Sequence, residues 1–191
     1  MNDTRTKAWQ TKQSTPDKAL ACIRPGMNIF LGTGAAEPRT LVKHLMASDA
    51  PNLQDLTLIQ LLSFGDALSF EELQANKYRL KTFFSGWVAS EAITAGRVDL
   101  IPSRFSTIPW LIKSHQLPVD AALLQITPPD KDGLCSLGIA VDVGRQAMEQ
   151  ASLVIADINA DIPRTYGDTF VSIEEFDLFV ESTQPAVVYS G

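Results

Sequence analysis

The sequence predicts an α/β protein with an open, mainly parallel sheet and helices on both faces. Short apolar segments alternate along the chain with amphipathic segments of helical period. Several apolar segments lack strict alternation of polar and apolar residues, as is typical of parallel strands buried on both faces. Glycine and proline turns separate the segments. A length of 191 residues fits one domain of this class.

The first elements are predicted to be a helix, a strand, a glycine turn and a second helix. Residues 15–17, Thr-Pro-Asp, begin a helix because they supply a capping hydroxyl, a proline at the first position and an acid at the positive end of the dipole. This helix should end near residues 24–26, Arg-Pro-Gly. Residues 27–31 then form a strand that runs into Gly32-Thr33-Gly34, and residues 39–48 form an amphipathic helix.

The rest of the chain continues the same alternation. Strands are predicted over residues 56–62, 78–84, 98–102, 119–127, 134–141 and 153–158, and helices over residues 70–75, 87–96, 106–115 and 144–151. Gly96 ends one of these helices, and Asp142 caps another. Residues 63–66 close the second strand, and residues 128–133 form a turn in which Asp-Gly supplies a positive φ.

The two ends of the chain differ from the folded part. Residues 1–14 are predicted to be a polar extension, and residues 15–191 to be the domain. The last segment, residues 184–191, is partly apolar, and no later element offers it a partner. This pattern is typical of a chain that stops before its next domain.

Composition and charge exclude several classes of protein. The formal charge is −6, and no cluster of lysine and arginine stands out, which argues against a nucleic-acid surface. Cys22 and Cys135 are too far apart in sequence to predict a disulfide framework or a cysteine zinc site, so a reducing compartment is expected. No signal peptide or apolar stretch of about 20 residues is present. We therefore expect a cytoplasmic protein without a membrane span.

The glycine turn is the first candidate site. Gly32, Thr33 and Gly34 follow a strand at the edge where open α/β sheets bind ligands, and glycine lets the backbone approach a ligand closely. A dinucleotide fingerprint is not met, because Glu37 stands where a third small residue is needed. A tight turn without a ligand explains the same residues equally well.

The remaining single residues offer little chemistry. Glu37 is either a catalytic carboxylate or a residue that complements the helix dipole, and its position before Pro38 favours the second interpretation. His44 and His115 are expected on solvated helix faces, so no metal site is predicted. Ser85, Ser90 and Ser136 lack the surroundings of a hydrolase triad.

A second candidate site follows the strand over residues 153–158. Asn159, Arg164 and Thr165 lie in a polar, turn-rich segment at the end of this strand. They either contribute to a substrate site, where Arg164 would bind a carboxylate or pair with an acid of another domain, or belong to a loop that caps its own backbone. In the second case Arg164 is expected to pair with Asp161 or Asp168.

Four ordered motifs then resemble one family. They are GTGAAEP, AGRVDLIPSRFSTIP, PVDAALLQITPPDKDGLCSLG and NADIPRTYGDTFVSIEEFD. Their order and spacing are similar to those of the acetyl-CoA hydrolase/transferase family, which includes 4-hydroxybutyrate CoA-transferases. Leu134, Cys135 and Ile162 depart from the family pattern, and Ser90 stands where arginine is frequent. These departures leave the acyl specificity open.

The resemblance implies the amino-terminal domain of a two-domain enzyme that moves CoA between carboxylic acids through a glutamyl-CoA thioester. The nucleophilic glutamate is then expected downstream of this chain, so no residue here is predicted to be catalytic and the chain alone is predicted to be inactive. Acyl-CoA and small carboxylic acids are the expected substrates, with no covalently bound cofactor. The expected partners are the carboxy-terminal domain and further copies in a homo-oligomer. The alternative is a free-standing α/β module that binds an anionic ligand or serves as an interaction module, without catalysis.

Overall fold

A computed structural model describes residues 9–62, 77–84, 89–96 and 98–188. The strands are β1 (Asn28–Leu31), β2 (Leu56–Gln60), β3 (Tyr78–Thr82), β4 (Val98–Leu100), β5 (Ala121–Ile126), β6 (Leu134–Ser136), β7 (Leu153–Ile158), β8 (Phe170–Ser172) and β9 (Leu178–Glu181). The helices are α1 (Pro16–Leu20), α2 (Arg39–Ala47), α3 (Ala89–Thr94), α4 (Ile108–Lys113) and α5 (Gly144–Gln150). Short 3₁₀ helices cover Trp9–Lys12, Gly34–Ala36, Phe105–Thr107 and Ile173–Glu175. The predicted turn at 63–66 and the predicted helix at 70–75 lie outside the described residues.

Seven strands form one open parallel sheet. Their order is β4-β3-β2-β1-β5-β7-β9, and every neighbouring pair is parallel. Strands β2, β3 and β4 lie in succession on one side of β1. Strand β5 then pairs with the other side of β1, and β7 and β9 follow it. The strand order therefore reverses between β1 and β5, which is where open α/β sheets form a ligand crevice beyond their carboxyl ends. The predicted parallel sheet is confirmed.

Helices cover both faces of this sheet, as predicted. Leu20 of α1 and Leu41 of α2 pack into one apolar core with strand residues such as Leu58. Ile112 of α4 and Ala147 of α5 pack into a second core on the opposite face. Each fully buried leucine or isoleucine stabilises the fold by about 1.5–3 kcal/mol relative to an exposed one. The α/β class is therefore confirmed by its two buried layers.

β6 and β8 form a separate antiparallel pair. The predicted strand over residues 134–141 is wrong beyond Ser136, because Gly138 adopts a φ of +71° and turns the chain away. The turn before β6 is confirmed, since Gly133 has a φ of +76°. The Asp130 carboxylate accepts hydrogen bonds from the backbone N–H groups of Asp132 and Leu134 within this turn.

Two helix ends were predicted from their capping residues, and one further predicted end differs from the structure. The Thr15 hydroxyl caps α1 and Gly96 follows α3 with a φ of +69°, as predicted. However, α1 ends at Leu20 rather than near residue 24. The Asn52 side chain donates hydrogen bonds to the carbonyl oxygens of Leu20 and Ile23, and so takes up acceptors at the helix end.

The sheet has an edge strand that the sequence pattern did not predict. β9 pairs with the outer side of β7 in parallel. Part of the predicted polar extension lies against it: the Trp9 ring packs on Phe179 with centroids 6.1 Å apart, and the Ser14 N–H donates to the Phe179 carbonyl oxygen. Residues 9–14 therefore contact the domain directly.

Candidate ligand site at the carboxyl edge of the sheet

The glycine turn follows β1 at the point where the strand order reverses. A Cβ atom on Gly32 would overlap the carbonyl oxygen of Ala36, and Gly34 has a φ of +57°. The turn is therefore built on two positions that only glycine fills without strain. Thr33 and Ala35 are half-buried, whereas Gly32, Gly34 and Ala36 are buried.

Glu37 ends this turn with its side chain inside the protein. The residue is 3% exposed, and its Oε2 accepts a 2.7 Å hydrogen bond from Gln60 Nε2. The same Gln60 nitrogen donates to the Gly32 carbonyl oxygen at 3.1 Å. Gln125 Nε2 donates to the Glu37 carbonyl oxygen at 2.9 Å. The expectation that Glu37 complements the α2 dipole is corrected, because this carboxylate binds a side chain from the neighbouring strand.

Asp157 is the acid that meets the amino end of α2. It is fully buried at the end of β7, and its Oδ2 accepts a 3.0 Å hydrogen bond from the Thr40 N–H. Burial raises the pKa of Asp157 to about 6, and hydrogen bonds from Ser182, Thr40 and Leu41 oppose that shift without cancelling it. A buried acid at a helix amino terminus satisfies backbone donors that would otherwise lack partners.

Asp142 caps the amino end of α5. Its Oδ1 accepts hydrogen bonds from the N–H groups of Val143 and Gly144, which confirms the predicted cap. Burial raises the pKa of Asp142, while the Val143 N–H, the Thr33 hydroxyl and the Gly144 N–H lower it to a smaller extent. Its φ is +26°. The capping role was readable from sequence, because both N–H donors belong to the two residues that follow Asp142.

Asn159 follows β7 and caps its own loop. Its Oδ1 accepts a 2.9 Å hydrogen bond from the Asp161 N–H, and its Nδ2 donates to the Gln184 carbonyl oxygen at 3.2 Å. These contacts match the interpretation of this segment as a loop whose side chains cap its backbone. They also hold residue 184, so part of the apolar tail does have a partner within the domain.

Arg164 joins the second candidate segment to the β6–β8 pair. Nη2 forms a 2.6 Å ion pair with Asp130 Oδ2, Nη1 donates to the Leu134 carbonyl oxygen at 3.0 Å, and the guanidinium lies 4.7 Å from the Phe170 ring centroid. Burial raises the pKa of Asp130, but backbone hydrogen bonds and the Arg164 charge outweigh it, so the pKa is lowered. The expected local partners Asp161 and Asp168 are corrected to Asp130.

Thr165 belongs to a small cluster of hydroxyl groups. Its Oγ1 donates to the Gly138 carbonyl oxygen at 2.6 Å and lies 3.2 Å from Ser136 Oγ. Ser136 Oγ also donates to Thr169 Oγ1 at 3.4 Å and accepts from the Gly138 N–H. This fully buried serine is therefore engaged in holding the loop against β6.

The predicted site residues fall into two groups at one edge. Gly32, Thr33 and Gly34 surround the reversal point, whereas Asn159, Arg164 and Thr165 lie beyond β7 and against the β6–β8 pair. In the ranges that the structure describes, no hydrogen bond joins the two groups. Their membership of one substrate site stays a prediction.

The two histidines each have a polar side chain within hydrogen-bonding distance. His44 Nδ1 lies 3.1 Å from Asp17 Oδ1, and His115 Nδ1 lies 3.0 Å from Gln150 Nε2. Across the described part of the chain, no three His, Cys, Asp or Glu side chains come together as metal ligands would. None of the helices among the described residues is long and apolar enough to cross a membrane.

Comparison with known families identifies the domain. The model of the acetyl-CoA hydrolase/transferase N-terminal domain matches residues 1–189. The chain belongs to this family. The resemblance carried by the four ordered motifs is thereby confirmed.

Relatives of this acetyl-CoA hydrolase/transferase N-terminal domain include named CoA transferases. The chain is 33% identical over 177 residues to a 4-hydroxybutyrate coenzyme A transferase of Clostridium kluyveri, covering 93% of this chain and 41% of that protein. It is 34% identical over 173 residues to a succinyl-CoA:acetate/propanoyl-CoA:succinate CoA transferase of Fasciola hepatica, covering 90% of this chain and 36% of that protein. The chain thus spans about two fifths of the length of these relatives.

A solved structure shares the fold of this family member. RipA from Yersinia pestis superimposes with a TM-score of 0.85 at 26% identity, and the match covers 95% of this chain and 44% of that one. The fold of this chain is therefore found within a longer protein.

Proposed function

We propose that this chain is the amino-terminal part of an enzyme that moves CoA between carboxylic acids, or hydrolyses acyl-CoA, through a glutamyl-CoA thioester. The observation that supports this most is the family match over residues 1–189, which includes the glycine turn at the reversal point of the sheet. The nucleophilic glutamate would lie in the carboxy-terminal part of the enzyme, outside this chain. Acyl-CoA and small carboxylic acids would be its substrates, and the cytoplasm its compartment.

The proposed chemistry uses two carbonyl substitutions. A glutamate oxygen attacks the thioester carbonyl carbon, the C–S bond breaks, and CoA leaves as a thiolate, which gives a mixed anhydride. The thiolate then attacks the glutamyl carbonyl of the anhydride and releases the first carboxylate, which leaves glutamyl-CoA. A second carboxylate reverses these steps to complete transfer, whereas water completes hydrolysis. Each tetrahedral intermediate carries an oxyanion that needs nearby donors.

The residues of this chain would form one wall of that site. Gly32, Thr33 and Gly34 would line the acyl-thioester position, because glycine lets a ligand approach the backbone. Asn159, Arg164 and Thr165 would face the carboxy-terminal domain across the cleft, with Arg164 contributing positive charge toward a carboxylate. In a homo-oligomer each subunit would contain both the amino-terminal part and the carboxy-terminal part of the enzyme.

The test of this proposal is capture of the covalent intermediate. The full-length protein is mixed with an acyl-CoA, quenched without a second carboxylate, digested and analysed by mass spectrometry. We expect CoA bound to one glutamate in a peptide from beyond residue 191. Turnover without any such adduct, or an adduct on a residue of the present chain, would contradict the mechanism. Anion binding by a protein without turnover would support the ligand-binding module instead.

A further inference from the structure

We propose that Glu37 is a positioning residue that holds the glycine turn, residues 32–36, in one conformation for the acyl-CoA site. This inference rests on the proposed function, because the turn is a wall of the substrate site only if that function is correct. The glutamate would act through the turn, without touching the substrate.

Glu37 is held from both sides of β1. Its side chain accepts a hydrogen bond from Gln60 at the end of β2, at 2.7 Å. Its backbone carbonyl accepts one from Gln125 near the end of β5, at 2.9 Å. Both glutamines are at most 2% exposed, and Glu37 is 3% exposed. Because β2 and β5 flank β1 in the sheet, these bonds hold the end of the turn between two rigid strands.

The Gln60 side chain that binds Glu37 also binds Gly32, the first residue of the turn. Gln60 Nε2 donates to the Gly32 carbonyl oxygen as well as to Glu37, so one amide nitrogen ties the first residue of the turn to the residue that ends it. The Glu37 N–H also donates to the Gly34 carbonyl oxygen at 3.1 Å. A shift of Glu37 would therefore move the backbone at Gly32 and Gly34. The half-buried residues Thr33 and Ala35 lie between these fixed points.

The acceptor oxygen is the property that this role requires. An apolar side chain at position 37 would leave Gln60 Nε2 with one acceptor fewer in a site closed to water, which is costly for a buried amide. A glutamine at position 37 would keep an oxygen for the same bond. A catalytic carboxylate would differ, since it would lose its function when its charge is removed.

The experiment compares three variants of the full-length protein in steady-state turnover of acyl-CoA and carboxylate. Glu37→Met is expected to lower kcat about tenfold or more with a smaller change in KM, because displacement of a positioning group by about 1 Å has effects of this size. Glu37→Gln is expected to stay within about threefold of the wild type, since it retains the acceptor. The matched control is Tyr78→Phe, which removes a buried hydrogen bond to the Leu45 carbonyl oxygen at the amino end of β3. Its kcat should not change.

Hydrogen exchange measures the turn itself, independently of turnover. The amides of Gly34, Ala36 and Glu37 donate within or next to the turn and should exchange about tenfold faster in Glu37→Met but not in Tyr78→Phe. If Glu37→Met does not fold, Gln125→Met removes the bond to the Glu37 carbonyl oxygen and should give the same local effect. Unchanged exchange, or loss of turnover in Glu37→Gln equal to that in Glu37→Met, would overturn the positioning role. A wild type without turnover would contradict the proposed function, while the exchange data would still decide whether Glu37 holds the turn.

Discussion

Asp157 shows how one buried acid links the sheet to a helix at the scale of a single residue. Its carboxylate meets the amino end of α2 through the Thr40 N–H, and burial raises its pKa to about 6. An unfolded aspartate titrates near 3.8. Between these pH values the folded state binds more protons than the unfolded state, so the contribution of Asp157 to stability decreases as the pH rises.

We predict that Asp157→Asn removes a pH dependence of the unfolding free energy between about pH 4 and pH 7. The difference of about two pKa units corresponds to about 3 kcal/mol, which the wild type gains as the pH falls through this range and the variant does not. An asparagine oxygen can still accept from the Thr40 N–H. Urea titrations at several pH values measure the difference between the two profiles.

The control for this prediction is Glu181→Gln, which neutralises an exposed carboxylate on the adjacent strand β9. It should keep the wild-type profile. Parallel profiles for the wild type and Asp157→Asn would contradict the prediction.

The role of a residue could be predicted from the sequence where its partners are neighbours in the chain. It could not be predicted where its partner lies on a distant strand. Asp142 was predicted to cap α5, and its partners Val143 and Gly144 are the next two residues. Glu37 was expected to complement a helix dipole, but its partner Gln60 lies 23 positions away on another strand. The pattern around Glu37 contains no information about which strand lies beside it.

At the scale of elements, Arg164 contacts both strands of the β6–β8 pair. Its guanidinium contacts the turn before β6 through Asp130, the β6 backbone through Leu134 and the β8 side chain Phe170. A planar guanidinium can make all three contacts at once, whereas a lysine ammonium cannot. One side chain from the loop after β7, that of Arg164, therefore contacts the turn before β6, the backbone of β6 and a side chain of β8.

We predict that Arg164→Lys destabilises the protein by about 1 kcal/mol, since it loses a partly exposed ion pair and the contact with the Phe170 ring. If Arg164 also binds a carboxylate in the full-length enzyme, KM for the carboxylate should rise more in Arg164→Lys than in Asp130→Asn. The second variant removes only the local ion pair. Stability is measured by thermal unfolding, and KM by transfer assays with varied carboxylate. Equal KM values in the two variants would limit Arg164 to its local role.

The boundaries of strands were predicted well where the apolar segments were long. They were predicted poorly where tertiary contacts determine the ends of a strand. β5 and β7 were found with small errors because each is a mostly apolar strand with a single polar residue near its end, Gln125 and Asp157 respectively. β9 was missed because it is a short edge strand with an exposed glutamate at its end, and its partner β7 precedes it by about 20 residues. β6 was predicted too long because the positive φ of Gly138 is a property of the folded turn.

At the scale of the whole molecule, the order of the strands in the sheet points to the candidate site more sharply than any sequence motif. The sequence predicted parallel strands, but it could not order them, since the alternation of elements is the same for several orders. The observed order reverses beside β1, so the glycine turn follows the strand where open α/β sheets generally bind their ligands. Glu37 lies at the same turn, where Gln60 Nε2 donates both to its carboxylate and to the Gly32 carbonyl oxygen.

The last prediction concerns the 191-residue chain by itself. We expect it to show no acyl-CoA hydrolysis and no CoA transfer, because the proposed nucleophile belongs to the part of the enzyme that this chain, at about two fifths of its relatives' length, does not include. Release of free thiol from acetyl-CoA, with and without a small carboxylate, measures both reactions, and the full-length protein under the same conditions is the positive control. Turnover by the chain that disappears when one of its own acids is replaced, as in Asp142→Asn, would mean that an acid of this domain performs the chemistry. The Asp142 carboxylate is held at the amino end of α5 by the Val143 and Gly144 N–H groups.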